Sequence, residues 1–219
     1  DLKKINILLK KKFLTQGPLV KKFEDKIKNY CNARYAVSVN SASSGLHIAC
    51  IAIGIKKNDI VWTSPNTFAA TANAVMHCGG KIDFVDIDKE HYNICINSLK
   101  KKLIIAKRKK KIPKAIIVVH FSGNPCDMVE IKKLSKKYNF KIIEDASHAM
   151  GARYKKEKVG SCKWSDITVF SFHPVKIITT AEGGAAVTNN NKLARLMYQL
   201  RTHGITKDKN YFTEKNDGP

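Results

Sequence analysis

Short runs of β-branched and aliphatic residues, most of them followed by a stretch with helical spacing, constrain this chain more than any other feature. They are Ala36–Val39, Asp59–Thr63, Lys81–Asp86, Ala115–Val119, Phe140–Asp145 and Ile167–Phe170. Runs of this length and composition, bounded by Gly, Pro, Asn and Ser, read as strands. Helical patterns follow from Leu46 to Ile51, Ala69 to Cys78, Asn97 to Lys114 and Val129 to Tyr138. Strands alternating with helices predict an α/β domain built on a mostly parallel sheet with helices on both faces. In such a sheet, ligands bind at the carboxyl ends of the strands.

Those ends carry the residues with chemical potential. Lys176 lies just past the run Ile167–Phe170, between apolar neighbours and after a Pro174 turn. A lysine so placed is either a solvated surface charge, as most lysines are, or an amine desolvated enough to attack a carbonyl. Ser171, five residues earlier, could hold a phosphate at the same rim. Asp145 ends a buried run, where it serves either as a helix cap or as the partner of a buried cation. Asn40 to Gly45 is a turn opening a helix; its hydroxyls either cap that helix or, with the free N–H groups and the dipole, bind phosphate. Phe68 is a core aromatic or a stacking ring, and His120 a packed or a site-lining histidine. Asp86 and Asp88 read as a capping turn, since a metal would need more oxygen ligands nearby.

The chain has 219 residues, 43% of them hydrophobic, enough for one sizeable core. Formal net charge is +22. Such a balance raises the question of nucleic acid, but arginine occurs only at 34, 108, 153, 195 and 201, and phosphate and base recognition favour arginine. A joint excess of Lys, Ile and Asn points to compositional bias, so neither nucleic acid nor membrane is expected as a partner. The six cysteines form no C-x-x-C pair, which predicts neither a metal site nor disulfides. No apolar run reaches the ~18 residues of a bilayer span, and a cytoplasmic setting is the simplest expectation.

The segment Ser171-Phe172-His173-Pro174-Val175-Lys176, with Thr179-Thr180-Ala181-Glu182-Gly183-Gly184 after it, resembles the cofactor-lysine motif of fold-type I pyridoxal phosphate enzymes of the DegT-type sugar aminotransferase family. Glu144-Asp145-Ala146-Ser147-His148-Ala149, Thr67-Phe68-Ala69-Ala70-Thr71 and Asn40-Ser41-Ala42-Ser43-Ser44-Gly45 are similar to three further motifs of that family, although Ala42 and Gly45 stand where relatives usually carry Gly and Ala. The resemblance implies a pyridoxal 5'-phosphate cofactor on Lys176, with Asp145 on the ring nitrogen and His148 beside the phenolic oxygen. It also implies Phe68 on the ring face, and Ser43, the Ser44 N–H and Ser171 at the phosphate. Leu14, Thr15, Gln16 and Ala42 become substrate contacts, and Gly184–Thr188 the antiparallel strand.

Within the family the motifs look most like the branch that serves pseudaminic acid biosynthesis. That likeness implies amino transfer, usually from L-glutamate, to C4 of a UDP-linked 4-keto-6-deoxy-N-acetylhexosamine. Amination at C3, sugar dehydration and, in another class, a basic nucleic-acid-binding protein remain alternatives. The resemblance divides the chain into a rim segment (1–17) and a cofactor-binding large domain (18–219) without the family's C-terminal small domain. Full-length members are expected to be homodimers with the site at the interface, so this chain alone is expected to bind cofactor weakly.

Overall fold

Side chains alternate across a strand, so a strand apolar at every position must be covered on both faces. All five residues of Ala115–Val119, Ile167–Ser171 and Gly184–Thr188 are buried. The computed structural model describes residues 2–10 and 15–205. In chain order it runs α1 (Leu2–Leu9), α2 (Pro18–Cys31), β1 (Tyr35–Val39), α3 (Ala42–Ala52), β2 (Ile60–Thr63), α4 (Ala69–His77), β3 (Lys81–Phe84), α5 (Ile96–Arg108) and β4 (Ala115–Val119). It continues with α6 (Met128–Tyr138), β5 (Lys141–Asp145), the small hairpin β6 (Arg153–Tyr154) and β7 (Glu157–Lys158), β8 (Ile167–Ser171), β9 (Gly184–Thr188) and α7 (Asn191–Arg201). Seven strands form one sheet in the order β1-β9-β8-β5-β4-β2-β3. Only β9 runs against its neighbours, pairing antiparallel with β1 and β8. This is an α/β fold on a mostly parallel sheet, with the antiparallel strand where it was expected.

The alternation sorts the core into layers. Ile117, Ile143 and Val169 point toward α3, α4 and α7, where they meet Leu46, Val75 and Met197. Ile116, Val118 and Ile142 point the other way, onto Leu99 and Leu103 of α5 and Ile131 of α6. Further along that second face, Phe170 and Phe172 pack with Ile27 and Cys31 of α2. Each fully buried side chain of this size contributes about 1.5–3 kcal/mol by leaving water, which is why the sheet is the rigid part of the molecule.

Element boundaries follow local chemistry. The helix expected from Asn97 to Lys114 is Ile96–Arg108 and stops six residues sooner. Lys110 has φ +54° and the Lys111 N–H bonds the Ala106 carbonyl at 2.9 Å, a left-handed stop that five consecutive basic residues do not resist. Pro113 then sets up entry into β4. Of the two acidic residues expected to form a capping turn, Asp88 does form a turn, its Oδ1 accepting the N–H groups of Glu90 and His91, while Asp86 Oδ1 accepts only the adjacent Ile87 N–H and neither caps a helix.

One buried polar cluster ties three strands together behind the site. Glu144 accepts from Thr168 Oγ1 at 2.8 Å, from Ser165 Oγ, and from His120 Nε2 at 2.7 Å. His120 Nδ1 accepts the Cys126 N–H at 3.2 Å, so the ring proton sits on Nε2 and donates to Glu144. Burial alone would raise the Glu144 carboxyl above its ordinary value; the bonds from His120, Ser165 and Thr168 outweigh it and hold the group ionised. His120 is thus fully buried and hydrogen-bonded, and it also lines the cavity at the strand ends. Glu144→Ala strips three donors of their acceptor and is expected to lower unfolding free energy by about 3–5 kcal/mol in urea titrations, against under ~1 kcal/mol for Glu90→Ala at an exposed position.

Candidate active site

A cavity of ≈ 320 Å³ opens at the carboxyl ends of β4, β5 and β8 and the amino end of α3. Its volume lies within the range of small-molecule sites. Of the residues singled out in the sequence, Lys176, Asp145, His148 and Phe68 line it, and so do Ser43, Ser171 and Ala42. They come from four separated stretches of chain.

Lys176 is placed by a tight turn on a fixed base. After β8, Phe172 is buried and meets the Phe23 ring edge-on at 5.4 Å. Its N–H donates to the Gly183 carbonyl, and its own carbonyl accepts from the Thr180 N–H and the Thr179 hydroxyl. The loop 173–182 is therefore pinned at its root. At its start the Lys176 N–H bonds the His173 carbonyl at 2.9 Å, closing a turn through Pro174. Of residues 173–182, Lys176 alone is half-buried and the others are exposed.

Asp145 is held from both sides. Thr71 Oγ1 donates to Oδ2 at 2.7 Å, and Ser147 donates to Oδ1 through its hydroxyl at 2.6 Å and its N–H at 3.2 Å. Thr71 in turn shares a 2.8 Å hydroxyl contact with Thr67, next to Phe68. The carboxylate is 5% exposed. Each such bond to a charged acceptor contributes about 1.5–3 kcal/mol. Neither Thr71 nor Ser147 stood out in the sequence as a partner of Asp145. The signals were present: an Asp-x-Ser spacing, and a threonine closing the Thr-Phe-x-Ala-Thr motif.

The serine turn differs in detail from its expectation. The helix already begins at Ala42, capped by Ser41, whose Oγ accepts the Ser44 N–H at 3.2 Å and lies 3.2 Å from Ser44 Oγ. The Ser44 N–H is therefore occupied and does not serve as the open donor. The N–H groups of Ala42 and Ser43 have no acceptor among the described residues and remain at the positive end of α3. Ser44 lines an adjoining groove with His47 and His77 rather than the main cavity. Gly184 lies directly beneath this turn: a Cβ there would stand 2.7 Å from the Ala42 nitrogen, so only glycine lets β9 pass so close.

Other residues complete the walls. Phe68 is 78% exposed, an aromatic face with no ring partner among the described residues. Glu182 and His173, which sequence reasoning left unassigned, meet at 3.7 Å on the rim. Thr15 and Gln16 are exposed and do not line the cavity, and Leu14 lies outside the described residues.

The donor set suits a flat anionic carbonyl cofactor. A half-buried amine and a pinned carboxylate face one cavity with Leu46 and Val119 in its walls, an unpacked ring beside it, and hydroxyls with two open N–H groups at α3. The His148 ring is linked to both charged groups. Desolvation in the cavity wall and then the Lys176 ammonium lower its pKa from 6.5, while Asp145 pulls the other way. Its neutral form is favoured in the folded protein, so its share of stability is kept above pH 6.5 and lost as pH falls from there through the lower folded value. In an NMR titration the His148 midpoint is expected below 6.5; Lys176→Ala raises it part of the way back, and Asp145→Asn lowers it further. Identical midpoints in all three proteins would contradict the shared electrostatics.

The family model described as the DegT/DnrJ/EryC1/StrS aminotransferase family matches residues 1–218. A UDP-4-amino-4,6-dideoxy-N-acetyl-beta-L-altrosamine transaminase of Campylobacter jejuni serotype O:2 is 47% identical over 207 residues, which is 94% of this chain and 53% of that protein. Among solved structures, Helicobacter pylori PseC, an aminotransferase of pseudaminic acid biosynthesis, superposes with a TM-score of 0.85 at 32% identity, covering 96% of this chain and 55% of that one. NtdA of Bacillus subtilis, solved with bound PMP, gives a TM-score of 0.75 at 31% identity over 84% of this chain and 40% of that one. The chain spans about half the length of the curated relatives it matches.

Proposed function

Because the chain belongs to the DegT/DnrJ/EryC1/StrS aminotransferase family, we propose that it forms the cofactor-binding half of a pyridoxal 5'-phosphate-dependent nucleotide-sugar transaminase. The reaction is transfer of an amino group from L-glutamate to C4 of a UDP-linked 4-keto-6-deoxy-N-acetylhexosamine. The observation that carries this reading is the single cavity that gathers Lys176, Asp145, Phe68, Ser43 and Ser171 at the strand ends. The 47% identity to the altrosamine transaminase supports the choice of sugar.

When bound, pyridoxal phosphate supplies an electron-withdrawing ring that takes up the charge left on carbon as a proton departs. The chain's own residues do the rest. Lys176 Nζ would be the point where the cofactor is held and the base that removes and returns the proton. Asp145, fixed by Thr71 and Ser147, keeps a ring nitrogen protonated through a charge-assisted bond. Phe68 covers one ring face. The Ser43 and Ser171 hydroxyls, with the open N–H groups of Ala42 and Ser43, take the phosphate. Neutral His148 donates or accepts one hydrogen bond beside the phenolic oxygen.

The reading extends to a homodimer, in which a second copy covers the apolar rim of Phe68, Val175, Ile177 and Ile178, all exposed in the single chain. A cytoplasmic setting accords with six cysteines held as free thiols. The test is incubation of the full-length protein with cofactor, L-glutamate and the UDP-4-keto sugar, with the product read by mass and NMR. A 4-amino sugar is expected, and Lys176→Ala is expected to lower turnover by at least ~10³-fold. Amination at C3, or loss of water without nitrogen incorporation, would overturn the substrate and reaction assignments respectively.

A further inference from the structure

A lysine-rich composition by itself would scatter positive charge over the surface; the fold instead concentrates it. Segments that lead into the parallel strands meet at the amino edge of the sheet, opposite the cavity. Lys56 and Lys57 precede β2, the run Lys107–Lys111 precedes β4, and Lys136 and Lys137 precede β5. Asp59 and Asp166 also fall here, each spent on one lysine, Lys114 and Lys141. None of Lys107, Arg108, Lys109, Lys110 and Lys111 has a carboxylate partner among the described residues. At the carboxyl edge the balance is different: the loop after β3 carries Asp86, Asp88 and Glu90 against Lys89.

The helix that delivers the basic run has an unusual outer face. Leu99, Leu103 and Ala106 of α5 are buried, which turns Lys101, Ile104, Ile105 and Arg108 outward at i, i+3, i+4 and i+7. Ile104 and Ile105 are 46% and 51% exposed. Two isoleucines thus stand in water between basic residues, a pattern suited to a surface that is negative outside and apolar a few ångströms deeper. We propose that this edge and the outer seam of α5 form a peripheral docking face for a bilayer rich in anionic lipid.

The chemistry separates this partner from others. Lysine is a flexible point charge that matches smeared lipid charge, whereas nucleic acid would draw on arginine forks and stacking rings. The patch holds one arginine, Arg108, and neither α5 nor α6 carries an exposed aromatic ring. A second copy of the same face is repelled by like charge. No described helix is long and apolar enough to cross a membrane, so the contact is superficial. Docking by this edge leaves the cavity facing away from the lipid. The inference rests on the placement of charge and not on the reading of the cavity.

The test is co-sedimentation of the full chain with phosphatidylcholine vesicles, with and without phosphatidylglycerol, at low and high salt. Retention is expected on the anionic vesicles alone and falls with salt. Lys109→Glu/Lys110→Glu/Lys111→Glu is expected to weaken partition at least ~30-fold, given roughly fivefold per basic residue near an anionic surface. Ile104→Ser/Ile105→Ser weakens it at least ~threefold at fixed charge. The matched reversal Lys89→Glu/Lys155→Glu/Lys156→Glu, away from this edge, leaves it within ~threefold, below the fivefold per residue expected of the docking edge. Absence of retention, equal loss from the two triple reversals, or tighter binding to duplex DNA than to the anionic vesicles at the same salt would overturn the proposal. Melting curves report whether each variant is folded, so a binding loss is read only on intact protein.

Discussion

The site depends on a carboxylate that cannot turn. Asp145 ends β5 with Thr71 on one oxygen and Ser147 on the other, so the group is oriented and almost out of water before any ligand arrives. A charge in that position would be costly without such donors, and it remains a strong acceptor for a cation placed in the cavity. Preorganisation of this kind removes the cost of arranging the group at the moment of reaction. Thr71 also connects, through Thr67, to the loop that presents Phe68. The ring and the carboxylate are therefore set by one hydroxyl chain rather than independently.

Rigidity behind the carboxylate has its own source. Glu144 and Asp145 are consecutive on β5 and point to opposite faces of the sheet. Asp145 faces the cavity, while Glu144 ties β5 to β8 and to the turn after β4 through Thr168 and His120. On the far side of the cavity, Phe172 anchors the Lys176 loop, whose outer residues are exposed and free of the core. A fixed carboxylate and an amine on a short anchored loop thus share one cavity.

Much of this was legible in the residues. Strand runs such as Ala115–Val119 and Ile167–Phe170 have a period and composition that only a covered sheet satisfies, and the special residues at their ends follow from the geometry of such sheets. Lys176, Asp145, Phe68 and Ser43, which line the cavity, each lie in a dense local motif. What escaped depends on contacts between distant segments. Thr71 meets Asp145 across 74 positions, and Gly184 lies beneath Ala42 only because β9 inserts next to β1. The occupied Ser44 N–H was hidden for a different reason: with Asn40, Ser41, Ser43 and Ser44 all able to cap, the capping residue is decided by where the helix starts. The end of α5 was overestimated because a lysine run has good helix propensity yet gains nothing from burial. The gathering of positive charge at one edge appears only when strand order is known.

The central claim is that one amine, at position 176, faces a carbonyl cofactor whose far end is held by Asp145. Borohydride reduction of the cofactor-loaded protein, followed by peptide mass mapping, tests it most directly. The account predicts a stable pyridoxyl mass on the peptide containing Lys176, and no comparable mark on the other lysines. A label spread over many lysines, or concentrated on one outside the cavity, would contradict it.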